Sequence, residues 1–202
     1  MPDDLALLVA EVDLIWGVAN LGREPDAPYV VVADTGVEQQ LVANPDYPVE
    51  PAELAAMVMT SSPAYAIEPP LVYETSAEVV LSGGPVERLR DLRPDEWKPE
   101  HWTSLLAGRH GPWAMLLKDG RLVATCHAAR FQATAAEAGV WTAPAYRGQG
   151  FAAAVTAAWA KHPVLRGRNL YYSTTEDNIS SQRVAARLGL RPLGHLRKYA
   201  QV

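Results

Sequence analysis

Two glycines, Gly148 and Gly150, stand between a strand-like stretch, 137–142, and a helix-like stretch that starts at Gly150. No other feature limits the fold as much. A chain that leaves a strand, turns on two glycines and enters a helix curls its backbone amides into a concave turn. The first amides of the helix have no intrahelical acceptor and lie at the positive end of the helix dipole. Such a turn suits a phosphate or diphosphate group. Beyond it the pattern continues as helix, strand (169–175), helix (179–188) and strand (190–200). A strand that feeds a helix and then another strand implies a parallel crossover in a mixed sheet.

Upstream, 113–118 and 121–130 read as two strands joined at Asp119-Gly120, a strong hairpin signal. The strand at 137–142 follows and Pro144 closes it. In the first crossover helix Phe151, Val155 and Trp159 share a face with Ala154 and Ala158 beside them, and Pro163 and Gly167 stop it. Asp177 or Asn178 caps the second helix and Gly189 ends it. The N-terminal half is less regular. Leu5, Leu8, Val9, Val12, Ile15 and Trp16 recur at helical spacing, with Gly17 or Gly22 as the stop. Strands are expected at 29–33 and 37–43 around Asp34-Thr35-Gly36, and a helix at 51–60 with Pro51 in its first turn. Pro63, Pro69 and Pro70 read as loop, and 71–74 and 78–81 as short strands ended by Gly83-Gly84-Pro85. There is no repeat.

Charge is divided along the chain. Residues 1–80 hold fourteen acidic side chains and one basic, a net of −13; residues 81–202 hold nine and seventeen, a net of +8. The basic half suits a polyanionic ligand, and the acidic half attracts a cationic substrate or is simply a solvated surface. Lys and Arg are too scattered to suggest nucleic acid. No run of about 18 apolar residues is present, so no membrane-spanning helix is expected. Asp3, Asp4, Glu11 and Asp13 interrupt the N-terminal apolar run and no basic leader precedes it, unlike an export signal. One cysteine, Cys126, gives neither a disulfide framework nor a metal cluster. A reducing, cytoplasmic location fits.

The run Arg147-x-x-Gly150-x-Ala152 resembles the Arg/Gln-x-x-Gly-x-Gly/Ala acyl-CoA motif of the GNAT superfamily of N-acyltransferases. Trp141-Thr142-Ala143-Pro144-Ala145-Tyr146-Arg147-Gly148 is similar to that family's fourth strand and loop. Asn178-x-x-Ser181 followed by Val184-Ala185-Ala186-Arg187-Leu188-Gly189-Leu190 is similar to its next helix. Two motifs in order, on the expected elements, are far more specific than Gly-x-Gly alone. The resemblance covers 77–202 and leaves 1–76 as an acidic extension that packs on the core and shapes the acceptor site. It implies a mixed α+β fold: a twisted, mostly antiparallel sheet with a central parallel strand pair, flanked by helices. It also implies acetyl-CoA as cofactor. The amides of Gly148, Gln149, Gly150, Phe151 and Ala152 would hold the diphosphate, and Arg147 would orient the loop or meet a phosphate. The backbone of Val140, Trp141 and Thr142 would pair with the pantetheine arm. Asn178 would bind the pantetheine side and Ser181 reach a phosphate. Without the resemblance, Gly148 and Gly150 are a tight turn, Asn178 a helix cap and Trp141 a packing residue.

Acyl transfer from a thioester needs a neutral amine, yet an alkyl amine has a pKa near about 10.4, so a general base helps. Glu137, at the start of the thioester-bearing strand, is the first candidate and His127 in the neighbouring strand the second. A strand-end carboxylate and a structural histidine are the plain alternatives. Cys126 cannot pair simply with His127, because neighbours on a strand face opposite sides. Many relatives carry a tyrosine where this chain has Ala185; here Tyr172, Tyr199 or water protonates the thiolate instead, or the thiolate leaves unassisted. Relatives often continue through a seventh strand, yet twelve residues remain past Leu190. A strand from 1–81, or from a partner chain, would have to complete the sheet. The expected activity is N-acetylation of a small-molecule or peptide amine by a monomer or homodimer. The alternatives are another acyl donor, a coenzyme A-binding sensor or interaction module without catalysis, and a nucleotide-binding domain of another type.

Overall fold

A computed structural model describes residues 3–21, 23, 28–46, 49 and 51–200. Its fold is mixed α+β: among the described residues, nine strands form a mostly antiparallel sheet with one parallel pair, flanked by helices. By contacts the chain divides into two compact units.

The first unit comprises Met1–Ala66, Tyr171–Gln182 and Arg191–Val202. Helix α1 (Asp4–Trp16) begins where the Asp3 carboxylate accepts from Leu5 N–H at 3.3 Å. It ends at Gly17, whose positive φ of 72° lets its N–H return to the Asp13 carbonyl at 2.8 Å. Gly22, the alternative stop, lies outside the described residues. The buried side chains Leu7, Leu8, Val12 and Leu14 pack α1 on strands β1 (Val30–Asp34), β2 (Gln39–Ala43) and β9 (Arg191–Ala200). All neighbours here are antiparallel, with Val30 opposite Ala43 on β2 and opposite Tyr199 on β9. Gly194 cannot be another residue: a methyl group there would strike the Asp34 carbonyl, at a φ of 136°.

Two sequence expectations are corrected. In the second unit, 71–74 is irregular rather than a strand. Here, the helix expected at 51–60 is only α2 (Pro51–Leu54). In place of the longer helix, β3 (Val58–Ile67) runs antiparallel to β9, from Val58 opposite Ala200 to Ala66 opposite Arg191. The nine-pair ladder with β9 outweighs the helix propensity of Ala55, Ala56 and Met57, since propensity is a small effect per residue. Pro63 sits inside β3 because its missing N–H is tolerated next to the register shift at Ala64/Tyr65, and its carbonyl accepts from Thr174 N–H at 3.2 Å. Thus β3, a strand from the N-terminal half, lies between β9 and β8 (Asn169–Ser173) in the sheet.

The second unit comprises Ile67–Leu170 and Arg183–Leu190. Its strands β4 (Glu78–Leu81), β5 (Trp113–Lys118), β6 (Arg121–Phe131) and β7 (Ala135–Thr142) form an antiparallel meander. The β5–β6 turn has φ of 52° at Asp119 and 73° at Gly120, as the hairpin signal requires. Helix α4 (Phe151–Ala160) covers one face with Phe151, Ala154, Val155 and Trp159, and the Trp159 indole donates to the Pro112 carbonyl at 2.9 Å. The other face is covered by a 3-10 turn at Glu87–Leu92 and by α3 (Pro99–Leu106), neither foreseen from sequence. Leu89, Trp102 and Leu105 pack there on Trp113, Met115 and Leu117. The parallel pair is β7 and β8, registered where Asn169 N–H donates to the Thr134 carbonyl at 2.9 Å.

Candidate active site

The glycine loop lies where strand β7 ends. Thr142 closes β7, Pro144–Tyr146 form a 3-10 turn, and Arg147 donates Nε–H to the Thr142 carbonyl at 3.3 Å, tying the loop to the strand. Gly148 and Gly150 have φ of 76° and 88°, a backbone that side chains rarely tolerate. A methyl group on Gly148 would meet nothing within 4 Å, so that side of the loop is open. The first amide of α4 with an in-chain acceptor is that of Ala154, bonded to the Gly150 carbonyl at 3.1 Å. The amides of Gly148, Gln149, Gly150, Phe151, Ala152 and Ala153 take no acceptor among the described residues. Phe151 is buried, with Tyr146 edge-on at 6.1 Å and the Lys118 ammonium 5.6 Å from its ring centre, and it fixes the start of the helix. Six free amides and the dipole of α4 therefore converge on one exposed turn.

The strands beside the loop sort the remaining candidates by face. Glu137, Gly139 and Trp141 alternate onto one face of β7, and His127 lies opposite Gly139. Trp97 joins them, its ring centre 5.9 Å from His127 and 6.2 Å from Trp141. The Trp141 indole donates to Glu96 Oε1 at 2.9 Å. A methyl group at Gly139 would press to 3.0 Å on the imidazole, so glycine there makes room for the ring. Burial, and after it the charge of His110, lower the His127 pKa to about 4, and its Nδ1 has no partner among the described residues. The ring is neutral near pH 7 and a weak base. Glu137 is half-buried and stands opposite Arg130.

The opposite face belongs to α4. Cys126, paired in register with Val140, shares a hydrogen bond with Thr156, and burial drives its thiol pKa far above the usual value. Cys126 and His127 thus point to different sides of the sheet, as strand alternation demands.

In the other unit Asn178 caps α5 (Ile179–Leu188), its Oδ1 accepting from Ser181 N–H at 3.1 Å. Tyr172 is buried with Tyr65 edge-on at 6.4 Å. His195 Nδ1 lies 3.0 Å from Ser61 Oγ and 3.7 Å from Glu176 Oε1.

A family model described as an acetyltransferase (GNAT) domain matches residues 47–191, most of the chain. The chain belongs to the GNAT acetyltransferase family. Solved GNAT structures share its fold. An acetyltransferase from Colwellia psychrerythraea aligns with a TM-score of 0.53 at 19% identity, over 71% of this chain and 57% of the other. One from Novosphingobium aromaticivorans gives 0.52 at 23%, over 72% and 66%. One from Kribbella flavida gives 0.50 at 19%, over 71% and 60%. The chain thus spans about three fifths of the length of these relatives. A search of curated proteins returns no match.

The GNAT match begins at residue 47 and covers β3. Sequence reasoning missed Trp97 and Glu96, and it missed Tyr73, whose hydroxyl reaches Gly150. The Trp97-x-x-x-x-Trp102 spacing hints at an aromatic cluster, but only the fold shows what it touches.

Proposed function

We propose that this GNAT protein transfers an acetyl group from acetyl-CoA to a primary amine of a small molecule or peptide, by direct attack in a ternary complex. The observation that carries the reading is the set of unpaired amides from Gly148 to Ala153 at the start of α4, a cradle for a diphosphate. Arg147 keeps the turn open by its bond to Thr142. The backbone of Val140, Trp141 and Thr142 pairs with the pantetheine arm. Asn178 uses its Oδ1 as a cap, which leaves its amide N–H groups to donate to the cofactor, and Ser181 lies within the same first helical turn.

The amine nitrogen attacks the thioester carbonyl carbon, and the N–H of Val140 or Trp141 stabilises the oxyanion. The C–S bond breaks and the sulfur leaves as thiolate. The proton released from nitrogen passes to Glu137, directly or through water. His127 is too weak a base to take it, and its neutral ring instead shapes the acceptor side of β7. Cys126 carries no acyl group, being buried against α4 with its thiol protonated. Ala185 is fully buried, so the tyrosine of many relatives has no counterpart at that position, and water or Tyr172 protonates the thiolate.

Calorimetric titration with acetyl-CoA, followed by thiol release on a panel of amines, tests the reading. Binding and release support it. No binding of either acetyl-CoA or coenzyme A refutes it. The missing tyrosine favours one second reading, a coenzyme A-binding module without catalysis, and binding with no transfer to any amine would select that.

A further inference from the structure

Two side chains outside the glycine loop converge on Gly150. A methyl group on Gly150 would strike the Tyr73 hydroxyl and lie 3.1 Å from Arg187 Nη1. Tyr73 comes from the irregular segment between β3 and β4, and Arg187 from the last turn of α5. Residues 73, 150 and 187 all belong to the second unit. Neither the Tyr73 hydroxyl nor the Arg187 guanidinium has a hydrogen-bond or ion-pair partner among the described residues, and no carboxylate meets them. The dipole at the end of α5 accounts for a cation at 187 but not for the phenol at 73. Where donors from two separated stretches meet, unpaired, at Gly150 beside the free loop amides, the missing component is an anion with several acceptor oxygens.

We infer that Tyr73 and Arg187 clamp the cofactor's diphosphate beside the loop amides. The inference rests on the acyl-transfer reading and adds two ligand-binding residues to it. Tyr73 supplies one directed O–H donor and Arg187 a charge with a planar fork suited to a phosphate. 4′-Phosphopantetheine brings only one phosphate to the cradle, so a clamp on the second would set the preference for coenzyme A over pantetheine compounds without a diphosphate. The 3′-phosphate of coenzyme A offers the same chemistry, and dephospho-coenzyme A, which keeps the diphosphate but lacks that group, separates the two.

The experiment compares wild type, Tyr73→Phe and Arg187→Gln by calorimetry with coenzyme A, dephospho-coenzyme A and 4′-phosphopantetheine. Each variant should weaken coenzyme A and dephospho-coenzyme A alike, by about five- to tenfold, as loss of a charge-assisted hydrogen bond at a partly exposed site implies. Affinity for 4′-phosphopantetheine should stay within about twofold. The Arg187→Gln loss should shrink at high salt and the Tyr73→Phe loss should not. Unchanged coenzyme A affinity in both variants overturns the clamp, as does an equal loss for 4′-phosphopantetheine. A loss confined to coenzyme A, with dephospho-coenzyme A unaffected, also overturns it and moves the contact to the 3′-phosphate. If wild type binds none of the three, the acyl-transfer reading itself falls and the clamp with it.

Discussion

Alanine at Gly150 should cost more stability than alanine at Gly148, and the difference should vanish when Tyr73 is removed. Both glycines have left-handed backbones, φ 76° and 88°, so each substitution costs about 1–2 kcal/mol of backbone strain. At Gly148 nothing lies within 4 Å of the new methyl group, and the strain is the whole effect. At Gly150 the methyl group meets the Tyr73 hydroxyl, with the Tyr73 ring 3.2 Å away, and the phenol must move. Displacing a packed side chain adds about 1–3 kcal/mol. Tyr73→Ala should remove that second part, so Gly150→Ala in a Tyr73→Ala background should cost only what Gly148→Ala costs in wild type. Urea unfolding followed by tryptophan fluorescence reads this double-mutant cycle, with Trp113 and Trp159 buried in the same unit. In thermal melts the extra cost corresponds to a fall of about 2–4 °C per kcal/mol. Equal costs at the two glycines, or a Gly150→Ala cost unchanged without Tyr73, would refute the packing argument.

Further predictions concern the strands beside the loop. Glu137→Gln should lower kcat strongly while cofactor affinity stays within about twofold, and a variant as active as wild type from about pH 6 to 9 removes Glu137 from the mechanism. His127 has a folded pKa of about 4, below its unfolded value of about 6.5, so the unfolded chain binds the extra proton between these values. Its stability contribution is present above about pH 6.5 and lost as pH falls towards about 4, by no more than about 3 kcal/mol. His127→Phe should flatten that part of the stability–pH curve, and an unaltered slope contradicts the assignment. Cys126 should resist thiol reagents until the protein unfolds, and Cys126→Ala should keep amine acetylation. Loss of transfer with intact cofactor binding in that variant would point to a covalent route instead.

What sequence could and could not disclose follows from how far each signal travels along the chain. The loop was legible because its determinants are adjacent: Gly148 and Gly150 set the turn, and Phe151, Val155 and Trp159 set the helix that follows. The Asp119-Gly120 hairpin and the Asn178 cap are local in the same way. Strand β3 was not legible. It contains Ser61, Ser62 and Pro63, lacks a clean alternation of burial, and owes its existence to β9, more than 120 residues away. Helix α3 is short, and its buried Trp102 and Leu105 are too few to set a period. Tyr73 and Arg187 carry no sequence sign of their meeting at Gly150, since that contact depends on tertiary path alone.

The pairing of β9 with both β1 and β3 has a consequence for synthesis. Val58 waits for Ala200, and Val30 for Tyr199, so these early strands have no partner on that side until the ribosome has delivered the tenth residue of β9. The meander and α4, by contrast, are complete once Leu170 has emerged. During translation the apolar edges of Val30, Val31 and Ala64 are exposed to chaperones or to other nascent chains. A translational pause between residues 170 and 190 should therefore raise aggregation more than one placed just after residue 60.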